Sequence, residues 1–109
     1  MTLNVHNSIM QLVVFKIQFS EEKNLLLQEI RGISFDEVVK AIENGKILDD
    51  LRNKNYPKQK ILVVQIKDYV SAVPYVISKK KKTIFFKTVY PSKVLTKKYL
   101  KSEREKNEK

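Results

Sequence analysis

The chain has no cysteine, no tryptophan, one histidine and two glycines in 109 residues. Without cysteine there is no disulfide framework, no thiolate nucleophile and no Cys-based metal site. His6 alone leaves too few soft ligands for zinc, and it excludes Ser–His–Asp chemistry; it reads as an exposed, uninvolved histidine. Both glycines, Gly32 and Gly45, stand at expected helix ends, so no glycine-rich phosphate loop is present. Long apolar runs are missing as well. The stretch Ile61–Ile66 is much too short to span a bilayer. Ile9 to Ile17 is broken by Gln11 and Lys16 and lacks the pattern of a cleaved signal. These absences predict a soluble, cytoplasmic protein with no membrane partner, no cofactor and no metal.

The most informative absence is of one sign of charge. Residues 69–102 contain no Asp or Glu and carry nine lysines: Lys79 to Lys82, Lys87, Lys93, Lys97, Lys98 and Lys101. Between them lie residues suited to strands, including Tyr69, Tyr75, Phe85, Phe86, Tyr90 and Tyr99. A foldable stretch of uniform positive charge presents a fixed electropositive surface, and its natural partner is a polyanion such as a nucleic acid backbone. Net charge is +10, and the acids concentrate before residue 51 and after residue 102. A hydrophobic fraction of 42% is enough for a modest core despite 31% charged residues.

Hydrophobic periodicity predicts one domain over residues 10–102, between a flexible extension (1–9) and a charged tail (103–109). Met10 is a second candidate start. Residues 12–19 alternate as a first strand. Ser20 is placed to cap a helix whose first turn holds Glu21 and Glu22, whose apolar set is Leu26, Leu27 and Ile30, and which stops at Gly32. Ser34 and Glu37 have capping-box spacing, with Ile33 and Val38 placed as a hydrophobic staple. Phe35, Val38, Val39 and Ile42 then form one buried helical face that ends at Gly45. Strands follow over 47–51, 60–67, 69–77 and 83–90, with Pro74 arguing for an edge position or a bulge. Pro91 and Ser92 open a last helix of roughly ten residues. The order β-α-α-β-β-β-β-α specifies an α+β domain with a mainly antiparallel sheet packed by helices.

Chemistry must come from Lys, Arg and Tyr acting electrostatically. In the last helix Lys93, Lys97 and Lys101 share a face, and Leu95 and Tyr99 share another. Lys93 falls in the first turn, where the helix dipole disfavours a cation unless an anion binds there. A solvated terminal helix would carry the same lysine pattern. Lys79 to Lys82 reads as a soluble, edge-protecting turn. Asp49 and Asp50 could hold a metal, but they more simply end a helix–strand connection. Clustered lysines disfavour one another's protonation, which can bring one down from about 10.4 toward a useful range.

Two segments carry a family resemblance. FSEEKNLLLQEIRGISFDEVVKAI resembles the opening of the BrnT-like toxins: an aromatic-rich strand, D/E-E-K-N, a helix, G-I/V-S-F and a second helix. KTVYPSKVLTKKYL is similar to that family's last strand and helix. YPKQKILVV and the strands after it fall between them in the same order, so the resemblance spans about residues 12–101. It implies a RelE-like fold and the toxin half of a type II toxin–antitoxin system. Such a toxin is an endoribonuclease that cleaves mRNA, free or ribosome-bound, and is paired with a ribbon-helix-helix antitoxin.

Carried over residue by residue, the family's Arg at the start of the last helix matches Lys93, and the Lys that usually follows is Val94. The basic residue that opens the third strand matches Lys60. Lysine keeps the charge but lacks the planar fork that grips a phosphate. The implied reaction is metal-independent attack of an RNA 2′-OH on the adjacent phosphate. Lys60, Lys87 and Lys93 would stabilise the charge, and a tyrosine or lysine would move the proton. Lys97, Lys98, Lys101, Arg52, Tyr56 and Tyr75 are the expected RNA-binding residues. The competing expectation is a non-catalytic RNA- or ribosome-binding module that uses the same basic face.

Overall fold

The computed structural model describes residues 15–101, apart from the Lys101 side chain. The expected extension, the charged tail and residues 12–14 of the first strand lie outside that range. The elements are β1 (Lys16–Gln18), α1 (Glu21–Arg31), α2 (Phe35–Glu43), β2 (Ile47–Arg52), β3 (Lys60–Ile66), β4 (Tyr69–Ser78), β5 (Thr83–Phe86), β6 (Tyr90–Pro91) and α3 (Lys93–Thr96). A π-helical turn, Lys97–Lys101, continues α3. The strands form one sheet ordered β1-β5-β4-β3-β2, with β6 also paired to β4. All pairings are antiparallel except β1 with β5.

Local chemistry sets the helix ends. Ser20 accepts from the Lys23 N–H and caps α1, Glu21 and Glu22 occupy its first turn, and Gly32 ends it at φ 65°. An L side chain would be strained at that φ. The α2 capping box closes both ways: Ser34 Oγ accepts from the Glu37 N–H at 3.2 Å, and Glu37 Oε1 accepts from the Ser34 N–H at 3.1 Å. A cap of this kind contributes about 1 kcal/mol.

The two helices bury unequal faces. α2 buries Phe35, Val38, Ala41 and Ile42, as its period predicts. α1 buries only Asn24 and Leu27, leaving Leu25, Leu26 and Ile30 exposed. Of the expected apolar set Leu26, Leu27 and Ile30, the core therefore takes one residue. Asn24 supplies the rest of the attachment. Its Oδ1 accepts from the Phe35 N–H at 2.7 Å, and its amide donates to Asp36 Oδ2 at 3.1 Å. The side chain of α1 thus satisfies an otherwise free donor in the first turn of α2.

The core joins these helices to one face of the sheet, where Leu62, Val64, Val73, Tyr75, Ile84 and Phe86 are buried. Phe19, Phe35 and Phe86 form an aromatic group with centroids 4.9, 5.9 and 6.5 Å apart. On the other face Val63, Val70 and Ala72 are buried where α3 crosses β4. Thr96 ties α3 down by accepting from the Val70 N–H at 2.9 Å while donating to the Ser92 carbonyl at 2.7 Å.

Three expectations are corrected. Pro74 lies in an interior strand, paired with Ile61 of β3, and not at an edge. The expected strand 83–90 is two strands, β5 and β6, both bonded to β4. The two departures have one cause. The Pro74 carbonyl accepts from the Lys87 N–H at 2.8 Å, so the missing proline donor also faces that side. There the neighbouring chain leaves the ladder for residues 87–89, which pass only Val73 and Pro74. The last correction concerns the final helix, which changes from α to π after Thr96. Its turns widen beyond Lys97, whose N–H still donates to the Lys93 carbonyl. Lys93 and Lys97 therefore keep their helical stacking, and the backbone of Lys101 is shifted from their line.

Candidate nucleic-acid interface

The acid-free run occupies β4, the turn at 79–82, β5, β6, α3 and the π turn. Both β5 and β6 pair with β4, and α3 packs on it. Lysines spread over 34 residues of sequence are thereby folded onto adjoining elements. Lys16 joins them, because its N–H donates to the Lys82 carbonyl at 2.9 Å. The described lysines of the run, Lys79 to Lys82, Lys87, Lys93, Lys97 and Lys98, are all exposed.

Two carboxylates of β2, Asp49 and Asp50, are committed within the fold. A register shift between Ile47 and Asp49 interrupts the β2–β3 ladder. Asp49 and Asp50 then reach opposite faces of the sheet. Asp49 Oδ2 accepts from the Tyr99 hydroxyl at 2.5 Å, fastening the end of the π turn to β2. That bond holds the Asp49 carboxyl below its usual range, helped by the Asp50 N–H and the charge of Lys98. The same bond, with some desolvation, pushes the Tyr99 hydroxyl up to about 12.

Asp50 faces the other way. Both of its oxygens accept from the Tyr75 hydroxyl, at 2.9 and 3.0 Å, and Oδ2 pairs with Lys60 Nζ at 2.8 Å. Burial, then the charge and hydrogen bond of Asp50, push the Tyr75 hydroxyl well above the ordinary phenol range. The Lys60 and Asp50 side chains are 47% and 37% exposed, so the pair is worth about 0–1 kcal/mol. Its consequence is electrostatic: the Lys60 ammonium has a carboxylate against it. Asp50 was not legible as a partner, since Tyr75 is 25 residues away in sequence.

The expected site residues separate into three groups. Lys60, Tyr75 and Arg52 lie together: Lys60 pairs in register with both Arg52 and Tyr75. Arg52 and Lys60 also line a shallow depression with Asn53, Lys54, Pro57 and Gln59. Tyr56 is exposed in the adjoining loop, which Asn53 Oδ1 holds by accepting from the N–H groups of Asn55 and Tyr56. Lys87 belongs to the opposite face, with its ammonium 5.7 Å from the Phe85 ring centroid. Lys93, Lys97 and Lys98 project from the last helix, and Lys98 Nζ stands 5.4 Å from the Tyr99 centroid. Lys101 closes the helical turn, and its side chain lies outside the described residues.

Lys60, Lys87 and Lys93 therefore do not converge on one point. Lys60 is on the face packed by α1 and α2, and Lys87 is on the other. Along β4, Lys87 lies beside Pro74 while Pro91, two residues before Lys93, lies beside Ser71. Three residues of strand put about 10 Å between those points. Such a spread suits contacts to several phosphates of one strand better than three contacts to one phosphate. Tyr75 and Tyr99 both stand as donors to carboxylates, and their raised ionisation makes them poor bases at neutral pH.

Ser92 Oγ accepts from the Leu95 N–H at 3.1 Å, so the start of α3 is capped from within, and Lys93 is its first residue. Among the described residues no helix is long and apolar enough to cross a membrane. No protein-family model, curated protein or solved structure matches the chain.

Proposed function

We propose that this chain is a BrnT-like toxin of RelE-like fold, the toxin half of a type II toxin–antitoxin system that acts on mRNA in the cytoplasm. The observation that carries the reading is the gathering of the acid-free run on β4, its neighbours and α3, with the lysines outward. Phosphate contacts supply most non-specific affinity for nucleic acid, and a run of residues without carboxylates adds none of its own to oppose them. The resemblance over residues 12–101 adds the reaction: 2′-OH attack on the adjacent phosphate. In that reaction Lys93 stabilises the developing charge, and Lys87, about 10 Å away along β4, holds a neighbouring phosphate. Lys60, on the other face of the sheet and closed on Asp50, takes no part in that step. A ribbon-helix-helix antitoxin would cover the basic face with a segment of opposite charge.

One observation favours a second reading, a non-catalytic RNA- or ribosome-binding module. Lys60 is closed on Asp50, and both tyrosines beside the carboxylates are held as donors. Induced expression separates the two. A toxin arrests growth and leaves mRNA with new internal 5′ ends, and co-expression of a neighbouring ribbon-helix-helix frame relieves the arrest. Growth arrest without new 5′ ends supports the binding module, and unimpaired growth with intact mRNA contradicts the toxin reading.

A further inference from the structure

We infer that Phe85 is a base-stacking platform for single-stranded RNA, with Lys16 and Lys87 holding the phosphates on either side of the stacked base. The inference rests on the reading of RNA as the partner and adds to it a subsite and a preference for unpaired strands. β5 is an interior strand, flanked by β1 and β4. An aromatic on such a strand is ordinarily covered on its face, as Phe86 is by the core. Phe85 points the other way and remains 37% exposed.

Exposed apolar residues are common singly, so the surroundings decide. Gln18 is in register with Phe85, and Lys16 with Thr83, which puts Lys16 on the same face two residues back. Lys87 lies two residues forward, with its ammonium 5.7 Å from the ring centroid. Two strand rises are about 6–7 Å, so Lys16 on β1 and Lys87 after β5 leave the backbone on opposite sides of Phe85, and the Lys87 ammonium folds back over the ring. Neither β1, β4 nor β5 contains an acidic residue. A partly exposed ring that already attracts one cation, with a second lysine beyond it, suits a flat base. The base takes the place of the Lys87 ammonium on the ring while both lysines move to its flanking phosphates, the pattern by which sheets hold single strands. A duplex, with its bases paired and stacked internally, has none to offer.

The chain contains no tryptophan, so Phe85→Trp introduces a unique reporter whose emission a stacked base quenches. Titration with a 12-nucleotide single-stranded RNA is expected to quench it, and the matching blunt duplex is not. Phe85→Leu keeps apolar bulk without the ring. It is expected to weaken single-strand binding by about fivefold or more, leaving the salt dependence and duplex affinity unchanged. If wild type binds the single strand, Phe85→Leu binds equally well and the reporter is silent, the platform is wrong while the RNA reading stands. If wild type binds no RNA at low salt, both fall. Quenching by a polyglutamate peptide but not by RNA would make this face a protein-docking surface and overturn the proposal.

Discussion

Lys60 Nζ and Asp50 Oδ2 stand 2.8 Å apart, so the lysine that opens β3 already has a counter-ion before any ligand arrives. The same carboxylate accepts the Tyr75 hydroxyl, which fixes its direction. Asp50→Asn keeps an acceptor for Tyr75 but releases the ammonium. It should raise RNA affinity about threefold to tenfold, the size of one added phosphate contact, while Lys60→Ala should lower it by less than about threefold. Fluorescence anisotropy with a labelled single strand measures both. A large loss in Lys60→Ala would mean that the ligand displaces Asp50.

Lys93 carries the site assignment on the last helix. Lys93→Ala should abolish growth inhibition with the melting temperature unchanged, because an exposed lysine contributes little to stability. Lys93→Arg should preserve or raise activity by supplying a bidentate fork. Replacing Lys79 to Lys82 together should weaken RNA binding without eliminating cleavage. Full toxicity of Lys93→Ala at equal expression would contradict the assignment.

Asn24 makes a stability prediction independent of RNA. It is 2% exposed and bonded at both ends of its amide. Asn24→Ala leaves the Phe35 N–H unpaired in a buried setting, at a cost of about 2–3 kcal/mol. Urea denaturation tests this; a loss below about 0.5 kcal/mol would show that the bond is replaceable.

The Asp49–Tyr99 bond predicts a pH window for the docking of the last helix. Asp49 has a lowered folded-state pKa, so its contribution is present above about pH 4 and is lost as pH falls through the folded value. Tyr99 is raised to about 12, so its contribution is complete below about pH 10 and is lost as pH rises toward 12. Tyr99→Phe should flatten both limbs of stability against pH and remove one late-titrating phenol from the ultraviolet titration. An unchanged profile would show that the helix is held by packing and Thr96 alone.

What the sequence discloses and what it hides divide by range. Ser20, Gly32 and the Ser34–Glu37 box act within four residues, so their roles were legible from spacing, as were the strands up to Ser78. Asn24 lies within the EEKN segment but bonds 11 residues away, and its role needed the angle between α1 and α2. Pairing Asp49 with Tyr99 spans 50 residues and depends on the register shift in β2. Leu26 and Ile30 fit a helical apolar stripe, yet α1 meets the core along a line too narrow to include them. Pro74 signalled a broken ladder correctly in kind, but the break lies in the neighbouring chain and not in its own strand. The basic face was visible as composition, whereas the closure of Lys60 by Asp50 was not.

RNA affinity as a function of salt tests the central claim most directly. If about four to six lysines of the β4–β5–α3 surface contact phosphates, log affinity should fall against log salt with a slope of about −3 to −4 for a single strand. Removing Lys87 or Lys93 should each reduce the slope by about 0.7. Affinity unchanged between 50 and 200 mM salt, roughly the range over which phosphate-driven binding collapses, would contradict the account.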